Sequence, residues 1–292
     1  MGHHHHHEHN DTDNLRLAFY LNLVFALIEL VGRLLTNSVA ILSDALHDLG
    51  DSASLALAWV LNRVSEQEGD EQYTYGYRRF SLLGAFINAV ILIGGSIFVL
   101  SEAIPRLTDP EATSAPGMIV LALGGVAANG YAAYRLRGGS TENMQVIGWH
   151  LMEDVLGWVA VLVVGVVLLF VDAPILDPIL SILITLYILY NVLGNLRGTV
   201  RLFLQARPTG VDMDALEANL RAINGVESLH HTHVWSLDGE HNVLTTHLVV
   251  PAETASDTVR RIRHESYERI SDLNLEHITI AVEYADEDCP MQ

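Results

Sequence analysis

The chain has 292 residues, half of them hydrophobic and only 17% charged, with positive mean hydropathy; soluble domains carry about 25% charged residues, so the composition excludes a uniformly soluble protein. Its net charge is −19 and all sixteen of its Lys and Arg residues are arginine, which argues against nucleic-acid binding, where basic patches are needed. A single cysteine, Cys289, excludes an intrachain disulfide.

The N-terminus, Met1-Gly2-His3-His4-His5-His6-His7-Glu8-His9, has no basic region of the kind a cleavable signal peptide begins with. Residues 1–13 read as a flexible, weakly metal-collecting tail, either native or a purification tag. A bilayer core takes about 20 apolar residues per helix. Six candidate spans follow, at about 14–36, 38–63, 78–103, 116–136, 143–171 and 174–200. Turn chemistry separates them: Thr36-Asn37-Ser38, the stretch from Pro105 to Pro116, Gly138-Gly139-Ser140, and Asp172-Ala173-Pro174.

Arginine placement sets the orientation. With both termini inside, the inner segments hold Arg63, Arg78, Arg79, Arg135, Arg137, Arg197, Arg201 and Arg207, and the outer ones hold Arg106 and Arg33. The spans thus make a transmembrane domain over 14–203 with cytoplasmic N- and C-termini. The composition shifts near Arg207-Pro208-Thr209-Gly210, and residues 208–292 read as a separate soluble domain.

That domain reads helix, strand, strand, helix, strand. A helix opens at Val211-Asp212 and stops at Asn224-Gly225. A strand over 226–237 turns at Asp238-Gly239 into a second over 241–250. Helical spacing occupies 255–272, and 277–284 alternates again with Ile278, Ile280 and Val282 on one face. An αββαβ order suits a small open α+β sheet with helices on one face.

Two stretches break the membrane pattern. Residues 43–54 read Ser-Asp-Ala-Leu-His-Asp-Leu-Gly-Asp-Ser-Ala-Ser, and 148–157 read Gly-Trp-His-Leu-Met-Glu-Asp-Val-Leu-Gly. Each contains His-x-x-x-Asp: His47 with Asp51, and His150 with Asp154. On a helix, Asp44, His47, Asp48 and Asp51 fall within a stripe about 100° wide, and His150 and Asp154 share another. A charged group at the bilayer centre costs roughly 2.5–3.5 kcal/mol even on lenient scales, so packing alone is a poor reason for several of them on two helices.

An i,i+4 pair offers two ligands from one helical turn. Two such pairs on facing helices supply two imidazoles and two carboxylates, a tetrahedral set suited to Zn²⁺. Mg²⁺ and Ca²⁺ want more oxygens, and Cu(I) wants sulfur, which only Met152 offers nearby. Co²⁺, Cd²⁺, Ni²⁺ and Fe²⁺ stay open. Asp44, Asp48 and Glu153 are candidates for supporting the ligands or relaying protons, with helix-packing hydrogen bonds the alternative for Asp44 and Asp48. Glu29 in the first span has the same two readings, whereas Asn22 and Asn88 read as interhelical hydrogen bonds.

Ser43-Asp44-Ala45-x-His47-x-x-x-Asp51 and His150-x-x-x-Asp154-x-x-Gly157 resemble the second- and fifth-helix metal motifs of the cation diffusion facilitator family, in its zinc-transporting branch. Asn22, the run Tyr75-Gly76-Tyr77-Arg78-Arg79-Phe80, and Leu229-His230-x-x-His233-Val234-Trp235-Ser236-Leu237 extend the likeness over nearly the whole chain. The resemblance implies six transmembrane helices followed by a ferredoxin-like, metallochaperone-like cytoplasmic domain. It implies a homodimer in the lipid bilayer, of the type found in a bacterial inner membrane, that exports Zn²⁺, and also Cd²⁺ or Co²⁺, in exchange for protons. The transport-site roles pass to His47, Asp51, His150 and Asp154. Regulatory Zn²⁺ in the cytoplasmic domain is implied at His233, His247 and Glu283. The sequence departs from the family pattern at His231, where aspartate is common, at Ala281, and in ending on one cysteine where some members have a pair. A membrane-anchored metal sensor, or an exporter of another divalent transition metal, is the alternative; an intramembrane metalloprotease lacks its His-Glu-x-x-His motif.

Overall fold

The computed structural model describes residues 5–136 and 142–289. Among the described residues eight α-helices and three strands follow one another as α1 (His5–Thr36), α2 (Val39–Ser65), α3 (Arg79–Ala103), α4 (Ala115–Leu136), α5 (Glu142–Phe170), α6 (Leu176–Phe203), α7 (Met213–Arg221), β1 (Ser228–Ser236), β2 (Asn242–Val250), α8 (Ser256–Arg269) and β3 (Leu275–Tyr284). Helix ends fall at Thr36-Asn37-Ser38, in the stretch from Pro105 to Pro116 and at Asp172-Ala173-Pro174, as read from the sequence, whereas Gly138-Gly139-Ser140 lies outside the described residues. α1 is helical from His5, where the described residues start, and so extends ahead of residue 14.

The chain divides into two units: residues through Val60 with Gly84–Leu196, and Leu61–Leu83 with Arg197 onward. In the first unit polarity is inverted relative to a water-soluble bundle. Glu29, Asp44, Asp48 and Asp177 are each 5% exposed or less, while Val31, Trp59, Phe98, Val120, Leu156 and Leu183 lie more than half exposed. Water would reverse that arrangement; a hydrocarbon surround favours it. Among the described residues four helices, α3 to α6, are long and apolar enough to cross a membrane. α2 has the length, at 27 residues, but spends Asp44, Asp48 and Asp51 on its interior face.

Close approach of α4 to α5 rests on a glycine. Trp158 is fully buried, and a Cβ on Gly125 would come within 2.5 Å of its indole; Phe25 of α1 meets the same ring edge-on at 5.6 Å. At the other end of α1, Asn37 takes the left-handed conformation (φ 55°) that closes a helix. Arg33 and Arg106 both donate to its side-chain oxygen, at 2.8 and 3.1 Å, and Arg106 also donates to its carbonyl at 2.8 Å. The two arginines read as the sparse outer set thus serve one helix turn.

The second unit is a three-stranded sheet in the order β1-β2-β3, antiparallel between β1 and β2 and parallel between β2 and β3. Helices α7 and α8 cover one face, burying Leu216, Leu220 and Ile262 against Leu229, Val234, Leu244, Leu248 and Ile280. This matches the αββαβ reading. Asp212 caps α7, accepting from the N–H groups of Asp214 and Ala215. The loop between α2 and α3 belongs with this unit: Tyr75 packs edge-on against His277, ring centroids 5.0 Å apart, and Arg78 pairs with Glu276.

The β1–β2 turn is held by Asp238. One carboxylate oxygen accepts from the N–H groups of Glu240 and His241 at 2.9 and 2.8 Å, and the other lies 2.7 Å from His241 Nδ1. Burial works to raise this carboxyl, but those hydrogen bonds and the neighbouring His241 outweigh it and hold it below the usual range. A depressed folded-state value gives stability that is present above the unfolded value of about 3.9 and is lost as pH falls through the folded value. Asp238→Ala is therefore expected to destabilise this unit by about 1–2 kcal/mol at pH 7. In thermal unfolding followed by circular dichroism, the gap from wild type should shrink as pH drops below about 4; a gap that stays constant with pH would show that the carboxylate charge contributes nothing.

Candidate metal centre

The polar stripe on α2 and the one on α5 face each other. His150 Nε2 lies 2.6 Å from Asp51 Oδ2, and His47 Nε2 lies 3.5 Å from that same oxygen. Asp154 Oδ2 is 4.0 Å from His150 Nε2. The two imidazoles meet edge to face with centroids 5.5 Å apart, and His47, His150 and Asp154 can each offer an atom within 4.8 Å of the others. All four side chains singled out from the two His-x-x-x-Asp pairs thus converge. Zinc bonds of about 2.0–2.2 Å put tetrahedral donors about 3.3–3.6 Å apart, so modest side-chain rotation makes this set tetrahedral. Two carboxylates balance a divalent charge, which matters in a low-dielectric interior.

The supporting candidates separate. Asp44 and Asp48 are buried and stand with Glu29 of α1, one carboxylate oxygen from each within 4.8 Å of the others. Glu153 turns away: its exposed carboxylate accepts a hydrogen bond from the Tyr187 hydroxyl at 3.1 Å. Asn22 donates to the Asp48 carbonyl at 2.9 Å and lies 3.2 Å from Ser52 Oγ, an interhelical bond as its position suggested; the Asn88 side-chain oxygen is buried with no partner among the described residues. One residue passed over in the sequence is Asp177. Fully buried at the start of α6, it accepts from Ser38 Oγ at 2.5 Å and from the N–H groups of Val39 and Ala40 at 2.7 and 3.3 Å. It caps α2 from a neighbouring helix. Its signal, an acid beside Pro178 in the first turn of a predicted span, reads in sequence as a turn residue.

In the second unit, His247 Nδ1 lies 2.5 Å from Glu283 Oε1, joining two of the three residues expected there. His233 is not the third. Strict alternation along β1 would put His231 and His233 on one face and His230 on the other. A β-bulge overrides it: the register shifts between His230 and His233, and His231 sits at φ 51°. The extra residue reverses the parity, so His230 stands directly opposite His247 while His233 stands opposite Thr245. His230 Nε2 accordingly lies 3.0 Å from Glu283 Oε2. Burial tends to raise the Glu283 carboxyl, but the His247 hydrogen bond and the charges of His247 and His230 hold it below its usual value. Cys289 completes the group, with Sγ 3.9 Å from His247 Nδ1.

An apolar-surfaced helical unit with two imidazoles and two carboxylates meeting inside it, followed by a small sheet domain carrying further imidazoles, is the make-up of an integral membrane protein that handles metal cations. The comparisons agree. Residues 15–204 match the cation efflux transmembrane domain and residues 208–285 the cation efflux protein cytoplasmic domain, so the chain belongs to the cation efflux family. Similar curated proteins include a cadmium, cobalt and zinc/H(+)-K(+) antiporter of Bacillus velezensis, 31% identical over 98% of this chain and 93% of its own length. Zinc transporter ZitB of Pectobacterium atrosepticum is 33% identical over 96% and 88%. The metal cation efflux system protein CzcD of Cupriavidus metallidurans is 32% identical over 97% and 90%.

Proposed function

We propose that the protein exports Zn²⁺ from the cytoplasm in exchange for protons, binding each ion at His47, Asp51, His150 and Asp154 on its way across a six-span membrane domain. The observation that carries this is the meeting of those four side chains, from two helices, inside a unit whose outer surface is apolar. The names of the relatives, a zinc transporter, a cadmium, cobalt and zinc antiporter and a metal cation efflux protein, support Zn²⁺ as cargo with Cd²⁺ and Co²⁺ beside it. The match to a cytoplasmic domain supports termini on the inner side, and that this domain is named for a dimer supports a homodimer.

Acid–base chemistry supplies the coupling. Metal binding needs neutral imidazoles and ionised carboxylates, so it displaces protons. On the acidic outer side, protonation of His47 and His150 weakens both nitrogens as donors and releases the ion. The protonated site then returns inward and discharges. The burial of Asp44 and Asp48 beside Glu29 supports a part for them in passing protons or orienting the ligands, and the outward bond of Glu153 to Tyr187 weighs against one for it. A membrane-anchored sensor would leave the four converging ligands without a task, because a sensor moves no ion.

The test is metal uptake into sealed vesicles reconstituted with the protein, under opposed pH gradients. Zn²⁺ accumulation should require the gradient and collapse when it is dissipated; accumulation indifferent to pH would refute proton exchange, and none at all would favour the sensor. In the same vesicles His47→Asp removes a nitrogen donor and puts in its place a carboxylate that can bind through one or two oxygens, which admits larger ions and relaxes the selection for tetrahedral Zn²⁺. The Cd²⁺ to Zn²⁺ rate ratio is expected to rise about tenfold, equivalent to about 1.4 kcal/mol of discrimination. An unchanged ratio would show that the imidazole does not select the metal.

A further inference from the structure

We propose that Glu29, Asp44 and Asp48 form a second divalent-cation site, made of carboxylate oxygen alone, that takes the ion as it leaves His47, Asp51, His150 and Asp154. This rests on the reading of the protein as an exporter through those four residues and adds a stop on their outer side. Helix α2 carries two interleaved i,i+4 pairs: His47 with Asp51, and Asp44 with Asp48. Each acid of the second pair stands three residues ahead of a ligand of the first. At 100° and 1.5 Å per residue the pairs lie on adjoining stripes about 60° apart, with the acid pair about 4.5 Å nearer the start of α2. With the N-terminus inside, that start is the outer end.

α1 brings the third carboxylate. Asn22 fixes α1 against α2, donating to the Asp48 carbonyl at 2.9 Å and lying 3.2 Å from Ser52 Oγ. Glu29 follows two helical turns later on the same face of α1, which sets it beside the acid pair: one oxygen from each of the three lies within 4.8 Å of the others. On the α5 side Gly157 faces the group, where a Cβ would stand 3.9 Å from Asp44 Oδ1, so no side chain intrudes from that position.

Glu29 is the sign that a ligand belongs here. It comes from a different helix and is fully buried. No hydrogen-bond donor among the described residues reaches either of its carboxylate oxygens, nor Asp44 Oδ2 or Asp48 Oδ2. A polar group kept for helix packing is satisfied by the neighbour it binds, as Asn22 is. Three acids turned toward one another are acceptors that a positive ion between them satisfies together. Their three negative charges outweigh a divalent ion, so its arrival removes most of the cost of burying them. The set has no imidazole and no thiolate. Oxygen donors suit Mn²⁺, Ca²⁺ and Mg²⁺ and hold Zn²⁺ and Cd²⁺ more loosely than two imidazoles and two carboxylates do. A tighter site followed by a looser one further out lets a bound ion leave by steps.

The test reads donor type directly. The full-length protein in detergent is loaded with Cd²⁺ and its cadmium NMR spectrum recorded. Nitrogen donors move the signal downfield and sulfur donors move it further, so an oxygen-only site is the most shielded; the histidines at positions 3–9 and those of the C-terminal sheet fall outside that range. The expected result is a shielded signal that disappears in Glu29→Gln and in Asp44→Asn at a Cd²⁺ concentration that fills the wild type, an affinity at least about tenfold weaker. A second signal, the one that Asp51→Ala removes, should stay in both variants and shows that they fold. If the wild type gave no shielded signal, or one that Glu29→Gln left unchanged, the proposal would be overturned and the three acids would hold protons alone. Loss of both signals together in both variants would also overturn it, because the acids would then only support the His–Asp ligands. No signal removed by Asp51→Ala would overturn the reading of the transport site, and with it the exit step.

Discussion

Asp51→Ala is expected to bring zinc uptake in reconstituted vesicles down to background, a loss of at least about 100-fold. Removing a partner that merely supports a ligand typically costs 10–100-fold in affinity or activity, and Asp51 is more than that. Its Oδ2 is the one atom shared by both imidazoles, 2.6 Å from His150 and 3.5 Å from His47. Without it the site loses one of four donors and one of the two charges that neutralise the ion, and an unbalanced charge in a low-dielectric interior costs several kcal/mol. The informative control is Glu153→Gln, on the same face of α5 in sequence but bonded to Tyr187 and exposed. It should change the rate by less than about twofold, the scale of an exposed ion pair. If Asp51→Ala retained a tenth of the wild-type rate, Asp51 would not be a ligand; if Glu153→Gln matched its loss, the outward Tyr187 contact would be the wrong state of that side chain.

The membrane elements were legible because period and turn chemistry agree locally. Thr36-Asn37-Ser38 breaks the first two helices with a residue that tolerates the left-handed conformation, and the two His-x-x-x-Asp pairs announce themselves by their cost in hydrocarbon. The order of elements in the second unit and the approximate strand limits followed from alternation for the same reason. What escaped was set by contacts distant in sequence. The bulge at His231 is a one-residue insertion, and nothing in Leu-His-His-Thr-His-Val indicates which histidine is the extra one; only pairing with β2 decides, and it sets His230 rather than His231 opposite His247. Cys289 joined that group through a turn whose anchor is the carbonyl of Val250, 35 residues before Ala285.

Asp177→Ala is expected to lower the thermal unfolding midpoint by on the order of 10 °C, from a loss of about 3–5 kcal/mol, and to weaken zinc binding at a site it does not touch. The start of α2 has unpaired N–H groups, as any helix does. Ser38 meets one of them, its Oγ accepting from Ile41 N–H at 3.2 Å, and passes its own proton to Asp177 at 2.5 Å. Asp177 takes the next two, from Val39 and Ala40, and its negative charge sits at the positive end of the α2 dipole. From there a polar seam continues down the two helices: Ser181 donates to the Val39 carbonyl at 3.2 Å, and Ser43 and Thr185 hydroxyls lie 2.9 Å apart. The seam stops one turn before His47. Removing its anchor leaves two N–H groups and a hydroxyl dry and unpaired, each costing about 1–3 kcal/mol, and frees α2 to rotate or fray at the end nearest its ligands. Asp177→Asn should recover part of the stability, since its amide oxygen can still accept, but not all, since its nitrogen then faces the Val39 N–H donor to donor. Zinc affinity measured on the three proteins should rank wild type above Asn above Ala, in step with their unfolding midpoints. Lost zinc transport in the Ala variant with an unchanged midpoint would assign Asp177 to the ion path itself and end the case for it as a remote cap on the metal-binding helix.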